Sequence, residues 1–129
     1  MKPISIKIKV FTGRVTLAVP CSYETACALY LKTKTPEPRD IAEYRTAEGM
    51  CVSTLKGSMI FLKKWNGTPH CHAVLAHEVV HAARQILGSC GVVEDAGTEE
   101  ALCYLVDHIL ERLLKELMPR KPSSGQKVR

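Results

Sequence analysis

The chain has 129 residues, enough for one domain with one modest core. Apolar residues make up 46% and charged residues 24%, an ordinary balance for a soluble globular protein. The formal charge is +5, but four of the positive charges and none of the negative ones fall in residues 118–129, MPRKPSSGQKVR. Residues 70–117 hold only Arg84, Arg112 and Lys115 against eight carboxylates. That half is acidic, which argues against a nucleic-acid surface there and suits a cation site.

The composition predicts one domain over residues 1–117 and a basic, solvated, disordered tail over 118–129. No stretch approaches the ~20 apolar residues of a membrane span. Met1–Val10 alternates Lys with Ile and does not read as a signal peptide. The six cysteines contain no CxxC pair, as expected of a reduced, cytoplasmic protein whose cysteines are small buried hydrophobes.

In chain order, Ile4, Ile6, Ile8 and Val10 alternate on one face, Thr12-Gly13 marks a turn, and Val15, Leu17 and Val19 resume the alternation. This predicts a β-hairpin. Ser22 is placed to cap a helix through about Leu31, and Pro36 and Pro38 break the chain. The runs 50–55 (MCVSTL) and 58–65 (SMIFLKKW), joined by Lys56-Gly57, predict a second hairpin. Thr68-Pro69 opens a helix that runs to about Leu87, with Leu75, Val79, Ala82, Ala83, Ile86 and Leu87 on its core face. A loop leads to a last helix over about Thr98–Leu117, with Leu102, Leu105, Ile109 and Leu113 in its apolar stripe. Glu100, Tyr104, Asp107, His108 and Glu111 form its polar stripe. The expected fold is α+β: a small antiparallel sheet of two hairpins packed with three main helices.

The chemistry sits in the first long helix, at 76-AHEVVHAAR-84. His77 and His81 are one turn apart and about 40° round the axis. Two imidazoles so placed can each put a ring nitrogen about 2.0–2.1 Å from one zinc ion. Glu78 points about 100° away, from where it reaches a water and not the ion. That is the division of labour of an HExxH metal site, with the glutamate as general base. A third ligand is needed. The extended HExxHxxGxxH form is excluded, because Arg84 and Leu87 stand at its last two positions. Glu94, Asp95, Glu99, Glu100 and, more remotely, Asp107 or His108 remain. Glu100 is favoured because it heads the polar stripe of the following helix.

A glutamate ligand on the helix after HExxH resembles the gluzincin arrangement of thermolysin-like zinc metallopeptidases. The chain is more closely similar to small phage- and prophage-encoded HExxH proteins described as minimal gluzincins. Their pattern, an AHExxH helix and then a helix reading E-A-x-x-Y-L, is met by Ala76–His81 and by Glu100-Ala101-Leu102-Cys103-Tyr104-Leu105, within residues 70–112. The Asn that precedes the glutamate in many gluzincins is Glu99 here. The resemblance implies Zn2+ held by His77, His81 and Glu100, with Glu78 as catalytic base and a peptide or protein as substrate. Tyr104 is a candidate to orient a ligand or to donate to an oxyanion, as are His108 and His70 for the second task. Two other functions compete. One is a non-enzymatic phage accessory protein with a structural or vestigial zinc site that binds a host protein. The other, less favoured, is a nucleic-acid-binding module using the basic tail.

Overall fold

A computed structural model describes residues 3–9, 11, 13–26, 28, 48–54 and 57–118. Its first strands are β1 (Ile4–Ile8) and β2 (Gly13–Ala18), paired antiparallel with Ile6 opposite Val15 and Ile8 opposite Gly13. The alternation read from the sequence sends Ile6, Ile8, Val15 and Leu17 into one buried face. Strands β3 (Gly49–Thr54) and β4 (Gly57–Leu62) also pair antiparallel, from Gly49 opposite Leu62 to Thr54 opposite Gly57.

The two pairs meet through a parallel contact between β2 and β4, with Val15 beside Ser58 and Ala18 beside Phe61. The sheet is therefore mixed, in the order β1-β2-β4-β3, and not the antiparallel sheet of two hairpins that the patterning suggests. Alternation reports which face a residue takes. It does not report which strand lies next to which, and β4 returns beside β2 only after the chain has crossed over. Central β4 is buried from both sides, as its run of Ser58, Ile60, Phe61 and Leu62 requires. Gly57 makes the parallel contact feasible: its φ is +116°, and a Cβ there would lie 2.3 Å from the Arg14 carbonyl oxygen. β4 stops at Leu62, three residues short of the expected end at Trp65.

Ser22 caps a helical turn, α1 (Tyr23–Thr25), its Oγ accepting from the Thr25 amide at 3.1 Å. The rest of the helix expected to about Leu31 lies mostly outside the described residues, as do Val10 and residues 119–129. Among the described residues there are two main helices where three were expected. They are α2 (Pro69–Ser89) and α3 (Glu99–Leu117). Thr68 caps α2 by accepting from the Cys71 amide at 3.3 Å, with Pro69 in the first turn. All six residues expected on the core face of α2 are buried.

α2 lies on β3 and β4, and α3 packs beside α2 and against β1. The main core joins Ile6, Ile8, Val15, Leu17, Ile60 and Leu62 of the sheet to α2 and to Leu105, Ile109 and Leu113 of α3. A smaller cluster covers the other face, with Ala18, Cys21, Ala26, Met50, Val52 and Phe61. Among the described residues no helix is long and apolar enough to cross a membrane.

Candidate metal centre

α2 is held to the sheet along two flanks, and that fixes what its outer face presents. On one flank Gln85 Oε1 accepts from the buried Ser58 hydroxyl at 2.7 Å and from the Cys51 thiol at 3.6 Å. Ser58 is a polar residue at an inward position of β4. Such a residue requires a partner, a signal the sequence carried without naming Gln85. At the other end Gly49 lets β3 approach, since a Cβ there would sit 3.1 Å from Val74 Cγ1.

His77 and His81 emerge on the outer face, both exposed. Their Nε2 atoms are 3.3 Å apart and their rings meet edge to face at 5.0 Å between centroids. Glu78 lies between the outer face and β3, with 5% of its surface exposed. One ligand atom from each of the three residues falls within 4.8 Å of the others. Carboxylates are seldom buried, because losing water costs an ionised oxygen several kcal/mol or more unless charge or hydrogen bonds compensate. A cation beside the two imidazoles would further stabilise a carboxylate buried there. The Cys51 thiol is pushed from 9.0 up to about 12, first by burial and then by the nearby Glu78 charge, with the Gln85 hydrogen bond acting the other way. Glu78 lies one turn after Val74 and two turns before Gln85, both of which meet β3, so it sits on the β3 side of α2.

The remaining candidates stand elsewhere. Glu100 is exposed in the first turn of α3 and is not part of the three-residue cluster. Leu102, Leu105, Ile109 and Leu113 face the core, and at about 100° per residue Glu100 is nearly opposite the centre of that face. Tyr104, 69% exposed, lines a groove with Lys7, Ile8 and His108 on the β1 side of α3. Leu102, on the other flank, shares a recess with Arg84. Tyr104 and His108 thus look toward β1. His70 is hydrogen-bonded to Glu48, and the His72 ring rests against Trp65 at 4.9 Å. Glu94 accepts from Arg84 at 2.9 Å, and Asp95 closes the turn before α3, accepting from the amides of Gly97 at 2.8 Å and Thr98 at 3.0 Å. Those two loop carboxylates are occupied in the ways their positions suggest.

Comparison with family models, with curated proteins and with solved structures finds no match to the chain. The chemistry of the site rests on His77, Glu78 and His81 themselves.

Proposed function

We propose that the chain is a zinc-dependent metallopeptidase in which His77 and His81 hold the ion and Glu78 is the general base. The supporting observation is the 3.3 Å between the two Nε2 atoms. Two atoms each about 2.0–2.1 Å from one tetrahedral ion stand roughly 3.3–3.4 Å apart, so the imidazoles are spaced as a ligand pair. Imidazole nitrogens with a carboxylate oxygen suit zinc better than the harder magnesium or calcium. Bound there, zinc would supply Lewis acidity and lower the pKa of a water. Glu78 takes a proton from the attacking water and returns it to the leaving amine.

The reading needs a third protein ligand, which the resemblance assigns to Glu100. Ligation by Glu100 requires the first turn of α3 to shift toward the exposed face of α2. The test is cleavage of quenched fluorescent peptides by the purified chain. Hydrolysis is expected to stop with a zinc chelator and return with zinc. Glu78→Gln should lower turnover about 100- to 10,000-fold while zinc stays bound. A zinc-loaded chain that cleaves nothing contradicts the peptidase.

A second reading has one observation in its favour. Both histidines are exposed on the outer face of a helix. In a non-enzymatic binding protein with a structural zinc, Glu78 is itself the third ligand. Glu78→Gln then weakens zinc binding and changes no turnover.

A further inference from the structure

An apolar hollow lies away from the histidines, between α3 and the outer edge of β1. Its volume is about 720 Å³. Ile8, Phe11 and Leu105 form its floor, and the exposed Tyr104 ring stands at its rim. Three cations line it, Lys7, Lys9 and Arg112, and no carboxylate does. Among the described residues β1 pairs only with β2 and lies at the edge of the sheet. Arg112 reaches that edge and donates to the Lys7 carbonyl at 2.8 Å, so an added segment would exchange with Arg112 at that one carbonyl. A second hollow continues along Ile4, Ser5 and Ile6, but there Glu111 and Glu116 stand beside Arg112 and Lys115, so the basic part of the groove is its Lys7–Lys9 end.

We propose that this groove binds an extended acidic segment of a partner protein, with an apolar side chain seated between Tyr104 and Phe11. An edge strand offers an extended chain backbone partners, and an apolar floor gives one or two side chains a place to bury. Charge complementarity sets the sign of the partner. It also sets the length of the charged stretch. α3 carries Glu99, Glu100, Asp107, Glu111 and Glu116 against Arg112 and Lys115. A nucleic acid, with a phosphate at every step, would run from the three cations onto those carboxylates. A short peptide with a few acidic residues does not.

The experiment uses the full chain and a fluorescein-labelled octapeptide of alternating Glu and Leu, followed by anisotropy and by amide NMR shifts. Saturable binding is expected, with the largest shifts in residues 7–9 and 104–112. Raising salt from about 50 to 300 mM should weaken it several-fold, because exposed charges are screened within a few ångströms at the higher strength. Lys7→Glu combined with Lys9→Glu should weaken it at least about tenfold. Both lysines are exposed, so an unchanged melting temperature separates lost binding from lost folding. His77→Ala should bind the peptide as the native chain does, which keeps this site independent of the metal centre. Absence of saturable binding, indifference to the lysine reversal, or equally tight binding of an oligothymidylate of matched charge overturns the proposal. Shifts at the groove that appear without peptide as protein concentration rises would assign it to a second copy of the chain, and overturn it equally.

Discussion

α2 and α3 are amphipathic helices of similar length, 21 and 19 residues, yet they hold their polar residues very differently. α2 buries eight residues, including Glu78, and is tied to the sheet at Gln85, Val74 and its capped start. α3 buries only Leu105, Ile109 and Leu113 and lies at the margin, with its polar stripe turned to water. On α2 the packing fixes the helix itself, so two histidines one turn apart leave it on the same outer side, with their Nε2 atoms 3.3 Å apart. Among the described residues, no hydrogen bond or ion pair holds Glu100 on α3. A metal site assembled from both helices would combine a preorganised half with an adjustable half.

That contrast can be broken at several strengths. The largest effect is expected from Leu75→Ala, a fully buried α2 position, which should cost about 2–5 kcal/mol in urea unfolding. Leu114→Ala, half-buried on α3, should cost clearly less; equal losses would mean that α3 is as deeply embedded as α2. Next is Ser58→Ala, which leaves Gln85 without its shortest partner and should cost about 1–3 kcal/mol. Smaller again is the Arg84–Glu94 pair, whose side chains are 52% and 53% exposed. Glu94→Gln should change stability by about 1 kcal/mol or less, with the effect fading in high salt.

The last concerns Cys51 and has no effect on stability at neutral pH. Its thiol holds its proton up to about 12, whereas an unfolded cysteine loses it near 9.0. The unfolded chain therefore releases this proton first as pH rises. The contribution of Cys51 to stability is intact below about 9 and is lost as pH climbs toward 12. At pH 8 Cys51 should react with a thiol reagent far more slowly than exposed Cys103 in the folded chain. Equal rates, followed by mass spectrometry, would mean that the β3 flank of α2 opens readily.

Much of this architecture was legible in the residues, and the reason differs between regions. Within one element, periodicity is geometry: the core face of α2, the cap at Thr68 and the exposure of His77 and His81 all follow from 100° per residue and a Thr-Pro start. The alternation of β1 and β2 gave the buried face of the sheet for the same reason. Relations between elements carry no such code. The parallel contact of β2 with β4 depends on a crossover and on Gly57, and neither alters the alternation of the strands. Glu100 heads the polar stripe of α3, but that stripe faces away from the packed side of the helix. Tyr104 shares the stripe and so lines the β1 groove. The Ser58–Gln85 contact left one trace, a serine at an inward strand position, and its partner was visible only once the elements were packed.

The most direct test of the account is metal content, measured by elemental mass spectrometry on protein purified without a histidine tag, beside His77→Ala, Glu78→Gln and Glu100→Ala. About one zinc per native chain is expected, lost in His77→Ala and kept in Glu78→Gln. Loss in Glu100→Ala would bring the first turn of α3 into the site, and retention would place the third ligand elsewhere. A native chain that carries no zinc and takes none up when it is offered would contradict the account, leaving His77 and His81 as two polar residues on the outside of a helix.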